Sequence, residues 1–286
     1  MGNIRFLFFD LDGTLLDDRK RIDPELVEYL RDLKKRKDVR YGISTGRHAA
    51  SVEPYLAQYD LKSLFDGMIC NSGADIYFYS PWEHVKNNYL SVNTLCRLLK
   101  LFKAYGNFIS CGFHSGDQLV TTGENHAVDM LIKRNHYNTS CRPENVALLP
   151  APKFLLLFDP EDRDRVAAAV EEKTVGGLRA VFTEPDICEY VDDRNSKAAG
   201  VKLFLERFGV AMGEIMAFGD AENDRQIMCS AGVSVCMKNG GESIRALADY
   251  VTEKTNNENG IMDFLQKHEA LLREKREGES MLTKIK

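Results

Sequence analysis

No run of about 18 apolar residues occurs in this 286-residue chain, so the sequence contains no candidate membrane-spanning helix. Its first residues lack the charged, then apolar, then small-residue order of a secretory leader, and no signal peptide is expected. Basic residues form no stripe, and 38 Lys and Arg against 43 Asp and Glu leave a net charge of −5, which argues against a nucleic-acid partner. The one basic stretch, Arg31 to Lys37, reads as the solvated side of a helix. The seven cysteines (Cys70, Cys96, Cys111, Cys141, Cys188, Cys229 and Cys236) show neither metal-ligand nor redox-pair spacing. They are expected to be reduced, in a cytoplasmic protein. The six histidines also lack ligand spacing, and neither an internal repeat nor a low-complexity tract is found.

What is present is ample apolar material, 44% of residues, in a length that suits about two domains. The chain opens on a short apolar run, Phe6 to Phe9, of the kind found in a strand buried on both faces of a parallel sheet. Asp10 follows where that strand ends, and ligands of open α/β sheets bind at this carboxyl edge. Asp10, Asp12 and Thr14 alternate with Leu11 and Gly13, so an extended continuation would turn the three polar groups to one side. Two carboxylates so placed can divide labour, one as nucleophile and the other as general acid and base. They can also hold a hard cation such as magnesium.

Asp23 and Pro24 start a helix over about 24–36, with Leu26, Leu30 and Leu33 at helical spacing. A strand at 39–44, a helix at 48–59 and a strand at 68–70 continue the alternation that signals a parallel sheet. Between roughly 86 and 186 the order changes to strand pairs alternating with helices, which implies an α+β unit with an antiparallel sheet. The parallel pattern then resumes. The expected division is a core of residues 1–85 and 187–286 and an inserted domain of residues 86–186. Beyond Arg273 the polar tail, Glu274 to Ser280, is expected to fray.

Three more segments carry chemistry. Thr45 and Gly46 fall at a strand's carboxyl end, where a hydroxyl beside an approachable backbone N–H suits a phosphate oxygen. Lys197 falls in the first turn of a helix capped by Asn195 or Ser196, where a cation opposes the helix dipole by about 0.3–1 kcal/mol and therefore calls for a functional reason. Gly219-Asp220-Ala221-Glu222-Asn223-Asp224 follows a strand and opens a helix, clustering oxygen ligands that suit Mg²⁺. Arg47 and Asn71 sit next to sheet-edge turns and are weaker candidates for substrate contact. In the inserted domain, His114, Gln118 and Arg142 are residues that could reach a leaving group.

Asp10-Leu11-Asp12-Gly13-Thr14, Thr45-Gly46, Lys197 and the Gly219 to Asp224 run resemble the four motifs of the haloacid dehalogenase superfamily. The insertion between the second and third motifs resembles the larger cap of its Cof-type branch. The turn Asn71-Ser72-Gly73-Ala74 is similar to the Asn-Gly-Ala turn of one subfamily, with Ser72 inserted. The resemblance implies an α/β fold: a Rossmann-like parallel-sheet core with helices on both faces and an α+β cap. It also implies a Mg²⁺-dependent phosphatase of small phosphorylated metabolites, sugar phosphates first, working through an aspartyl-phosphate. In that scheme Asp10 is the nucleophile, and Asp12 is the acid and base, with its pKa raised so that it holds a proton near neutral pH. Thr45, Gly46, Lys197 and Asn223 serve the phosphate, and Asp10, Asp12 (through its carbonyl), Asp220 and Asp224 serve the metal. The alternatives are a phosphomutase on the same scaffold and, from another class, a ligand-binding regulator without turnover.

Overall fold

The computed structural model describes residues 3–275 except 117, 136, 138 and 174, so the tail from residue 276, most of the stretch expected to fray, lies outside the described residues. The chain forms two compact units. One takes in the described residues up to Arg47, Val52–Val85, and those from Ser196 on; the other comprises His48–Ser51 and Lys86–Asn195.

The first unit is built on an eight-stranded sheet. Its order is Tyr250–Val251, Val233–Cys236, Ile215–Gly219, Phe6–Phe9, Arg40–Ser44, Gly67–Cys70, Asp75–Tyr79 and Trp82–Lys86. The first six strands pair in parallel, and Asp75–Tyr79 turns back antiparallel to Gly67–Cys70. Phe6–Phe9 is central and fully covered on both faces, as its unbroken apolar run requires. On one face Phe6 and Phe8 meet Phe204 of the helix Lys197–Glu206 edge-on, at 5.6 and 5.8 Å between ring centroids. On the other, Phe9 stacks on Phe218 and packs against Phe65. Burying each such ring contributes about 1.5–3 kcal/mol.

The helix Pro24–Arg36 covers this second face with Leu26, Val27, Leu30 and Leu33, and Asp23 caps it by accepting from the Glu25 N–H at 2.8 Å. Its basic side is not a free solvated face. Arg31 donates to the Tyr59 carbonyl at 3.2 Å, Lys34 to the Leu64 carbonyl at 2.6 Å, and Arg36 to Glu269 at 2.7 Å. Arg31 and Lys34 thereby satisfy carbonyls around the short helix Leu61–Leu64, which carries no sequence signal of its own.

The second unit is an α+β layer on a six-stranded sheet, in the order Leu178–Glu184, Ile187–Asp192, Phe154–Leu157, Ser110–Ser115, Gln118–Thr121 and Ser140–Cys141. Ile187–Asp192, counted with the core in the sequence division, pairs here with Leu178–Glu184 and Phe154–Leu157. All neighbours are antiparallel except the last pair. Alternation along Phe154–Leu157 decides the layers. Phe154 and Leu156 join the helices Val92–Phe102 and Arg163–Glu172, while Leu155 and Leu157 join the helix His126–Arg134.

Candidate active site

Three adjacent parallel strands of the first unit end side by side: Ile215–Gly219, Phe6–Phe9 and Arg40–Ser44. The residues that follow them are Asp220, Asp10 and Thr45. The central strand is where the sheet order switches direction, the location at which an α/β sheet opens a crevice. Register is fixed here by backbone bonds, Asp10 N–H donating to the Phe218 carbonyl at 3.0 Å and Thr45 N–H to the Ile69 carbonyl at 2.8 Å.

Lys197 is the centre of charge. It opens the helix Lys197–Glu206, which Ser196 caps through the Ala199 N–H at 3.0 Å. The side chain is fully buried, and its Nζ donates to Asp10 Oδ1 and to Asp224 Oδ1, both at 2.6 Å. A buried ammonium at the positive end of a helix is unfavourable unless carboxylates surround it. Burial works to strip its proton, but the charges of Asp10 and Asp224 outweigh burial and hold the ammonium more firmly than in water.

Asp224 is fully engaged. Its Oδ1 takes Lys197, and its Oδ2 accepts from the Asp220 and Ala221 N–H groups at 3.1 and 3.2 Å. Asp220 Oδ1 accepts from Thr14 Oγ1 at 3.0 Å. One oxygen each of Asp10, Asp220 and Asp224 lie within 4.8 Å of one another. Burial raises the pKa of Asp10 well above its usual range; Lys197 opposes that rise, and the Asp224 and Asp220 charges add to it. Burial and the Asp224 charge likewise bring Asp220 to about 6. Three crowded carboxylates with one ammonium among them form an oxygen-only donor set with excess negative charge, which fits a hard divalent cation. Gly13 completes the close approach. Its φ is +74°, and a Cβ built there would lie 2.4 Å from Asp220 Oδ2.

Asp12 is placed differently from the sequence expectation. Arg47 grips it through Nε at 2.6 Å and Nη2 at 2.7 Å, and Lys20 Nζ lies at 2.5 Å. Burial pushes its carboxyl up, but these two cations outweigh burial and hold it below the ordinary carboxylate range. In this state Asp12 is therefore an ion-paired carboxylate rather than a held acid, and its side chain stands outside the three-carboxylate cluster. Arg47, expected beside a substrate, turns its fork to Asp12 and leaves Nη1 buried without a hydrogen-bond partner.

Thr45 is buried, and its Oγ1 accepts from the Arg47 N–H at 3.2 Å. Gly46 leaves room for close approach: a Cβ there would lie 3.5 Å from Ser72 Oγ and 3.9 Å from Asn223 Nδ2. Asn71 is buried, and its backbone N–H donates to the Arg47 carbonyl at 2.9 Å. Asp10, Asp220, Asp224 and Lys197 thus converge in one cluster, with Thr45 at the end of the next strand. The inserted-unit candidates scatter. Gln118 is exposed, Arg142 pairs with Glu124 at 2.9 Å, and His114 stacks on His48 at 3.9 Å with neither ring nitrogen hydrogen-bonded. Sequence reasoning missed Lys20, for which no local pattern speaks. It noticed Thr14 only by its alternation with Asp10 and Asp12.

The family model of haloacid dehalogenase-like hydrolases matches residues 7–265. The chain belongs to that family. Among its relatives, the 5-amino-6-(5-phospho-D-ribitylamino)uracil phosphatase YitU of Bacillus subtilis is 26% identical over 281 residues, 92% of this chain and 96% of that one. The pyridoxal phosphate phosphatase YbhA of Escherichia coli is 25% identical over 281 residues, 92% of this chain and 98% of that one. A solved haloacid dehalogenase-like hydrolase from Bacteroides thetaiotaomicron shares the fold with a TM-score of 0.80 at 24% identity, covering 92% of this chain and 99% of that one. As a haloacid dehalogenase-like hydrolase, the protein is an enzyme, and no described helix is long and apolar enough to cross a membrane.

Proposed function

We propose that this hydrolase is a Mg²⁺-dependent phosphatase of small phosphorylated metabolites, sugar phosphates first, with Asp10 as nucleophile. The observation that carries the reading is the buried Lys197 bridging Asp10 and Asp224 at 2.6 Å beside Asp220. Relatives named for two different phosphorylated metabolites support the substrate class without choosing within it.

Lys197 ties Asp10 Oδ1, which leaves the other carboxylate oxygen to attack phosphorus in line. The P–O bond to the leaving group breaks as the Asp10–phosphorus bond forms. Asp12 delivers a proton to the departing alkoxide and later takes one from the water that releases phosphate. For the first step Asp12 must gain a proton, and its Arg47 partner is the group that a phosphoester dianion would draw away. Thr45 Oγ1, the Gly46 N–H and Lys197 offer donors to the phosphoryl oxygens, and Asn223, near Gly46, is the further candidate contact. Asp10 and Asp220 would hold the cation, together with the Asp12 carbonyl by family resemblance. Asp224, with both oxygens occupied, fixes Lys197 and the Asp220 backbone. Bound Mg²⁺ would neutralise charge on the transferring group. The residues of the second unit between 86 and 186 are the proposed cap, where selection among leaving groups is expected.

Turnover of p-nitrophenyl phosphate with Mg²⁺, followed by a panel of phosphorylated metabolites, tests this reading. Asp10→Asn is expected to abolish phosphate release with the fold intact. Full activity in that variant would remove Asp10 as nucleophile.

A further inference from the structure

The turn after Gly67–Cys70 is strained, and a polar chain running from Asn71 to residues outside the motifs holds it. Asn71 and Ser72 both adopt left-handed backbone angles, with φ of +48° and +54°. Each costs a non-glycine residue about 1–2 kcal/mol, so such a turn persists only where its surroundings over-determine it. The backbone part of that support is directed at one place. Asn71 N–H donates to the Arg47 carbonyl at 2.9 Å, and Ser72 N–H donates to the Thr45 carbonyl at 3.1 Å. The strained pair therefore grips the segment 45–47 from both ends.

The side-chain part runs the other way, into the hairpin of Asp75–Tyr79 and Trp82–Lys86. Asn71 Nδ2 donates to Asp75 Oδ2 at 2.6 Å, and His84 Nε2 lies 2.7 Å from Asp75 Oδ1. The His84 ring stacks on Tyr77 at 4.1 Å between centroids, tilted by 13°. Asn71 and Asp75 are both buried, whereas the His84 side chain is 21% exposed. A carboxylate only accepts, so the Asn71 amide nitrogen must face Asp75, and Nε2 of His84 must carry the proton it donates. The amide can then take only one orientation, and its carbonyl oxygen is left buried with no hydrogen-bond partner, as is Arg47 Nη1. An apolar hairpin would stabilise the sheet edge at less desolvation cost than a buried carboxylate. The polar chain is explained if its work is done at the end where it meets the turn.

We propose that His84 and Asp75 are positioning residues for the phosphate-binding segment Thr45 to Arg47, acting through Asn71. The proposal rests on the phosphatase reading above and deepens it. His84 anchors the Asp75 carboxylate, Asp75 fixes the Asn71 amide, and Asn71 with Ser72 sets where the Thr45 hydroxyl and the Gly46 N–H present themselves. A shift of about 1 Å in such donors is enough to cost up to a hundredfold in rate.

The test uses the full chain with Mg²⁺, p-nitrophenyl phosphate as substrate and inorganic phosphate as inhibitor. His84→Phe keeps a ring to stack on Tyr77 and removes the donor; His84→Gln keeps a donor for Asp75 and removes the ring. In His84→Phe, KM and the phosphate inhibition constant are expected to rise together by about tenfold, as for other partners that orient a binding group, with kcat changing much less. His84→Gln should return both constants toward wild type. Asp75→Ala is the more drastic variant, and thermal unfolding of every variant separates misfolding from misplacement. Unchanged constants in His84→Phe, or equal losses in the Phe and Gln variants that follow Tm, overturn the positioning role. A wild-type protein inert toward every phosphoester would sink the phosphatase reading, and this proposal with it.

Discussion

Arg47 holds Asp12 by two hydrogen bonds, at 2.6 and 2.7 Å, across 35 residues of sequence. The pair joins the carboxylate of the first motif to the residue that follows the Thr45-Gly46 turn. It also lowers the pKa of the group proposed to act as acid. Burial alone would raise the Asp12 carboxyl, and the guanidinium with Lys20 reverses that. A folded-state pKa below the unfolded value adds stability above the unfolded pKa, and that stability disappears as pH falls through the folded one. Arg47→Ala should therefore cost about 1–2 kcal/mol at pH 7, discounted because Asp12 is partly exposed. The difference should be smaller at pH 3 than at pH 7. Urea unfolding of both proteins at the two pH values checks this, and a difference independent of pH would mean that Arg47 acts by packing alone.

Lys197→Met removes the ammonium that bonds both the buried Asp10 and Asp224. Two carboxylates then face each other without a counter-charge, and breaking a buried pair in this way costs about 3–5 kcal/mol. The sign with pH is the same as for the Arg47 variant, the deficit shrinking on acidification, but the window lies higher because Asp10 is raised where Asp12 is lowered. Asp10 already has its pKa raised by burial, and loss of Lys197 removes the charge that opposed the rise. A carboxyl with a raised folded pKa is best tolerated when protonated, so the variant should regain stability as pH falls from 8 to 5. Activity should be lost at every pH. A variant whose deficit grows on acidification would contradict the assignment.

Metal binding should track the same electrostatics. Asp220 is raised from 3.8 to about 6 by burial and by Asp224, so without a cation its ionisation weakens the fold as pH climbs through that window. A divalent ion that binds the ionised site reverses the penalty and must compete with protons below it. The rise in Tm on adding Mg²⁺ to chelator-treated protein should be larger at pH 7.5 than at pH 5. An equal rise at both values would place the ion elsewhere than on Asp220.

Much of this arrangement was legible because its causes are local. The four apolar residues Phe6 to Phe9 announce a strand covered on both faces, Asp23 with Pro24 announces a helix start, and Gly219 to Asp224 announces a strand-to-helix turn rich in oxygen ligands. The parallel core, the antiparallel second sheet and the family all follow from such signals. What escaped depends on partners remote in sequence. Nothing near Lys20 or Arg47 shows that both turn to Asp12, so the expected raised pKa met the opposite environment. Arg31 and Lys34 look solvated by composition, yet the carbonyls of Tyr59 and Leu64 claim them. The two-residue strand Ser140–Cys141 is too short for any period to register.

Gly13 links backbone freedom to the acidic cluster in a way that one substitution can expose. Its φ of +74° is open to glycine, and a methyl group there would come within 2.4 Å of Asp220 Oδ2. Gly13→Ala must therefore bear the left-handed backbone cost, about 1–2 kcal/mol, and displace the Asp220 carboxylate from its bond to Thr14. Because Asp220 lies within the three-carboxylate group, the displacement should weaken Mg²⁺ binding much more than it weakens the fold. The expected result is a modest fall in unfolding free energy with a rise of tenfold or more in the Mg²⁺ concentration for half-maximal activity, about 1.4 kcal/mol or more. The Thr14→Val variant, which removes the hydroxyl without adding bulk near Gly13, should show a smaller shift in the same direction. If Gly13→Ala loses stability and keeps its wild-type Mg²⁺ requirement, the glycine serves the turn alone, and the close approach to Asp220 has no part in holding the ion.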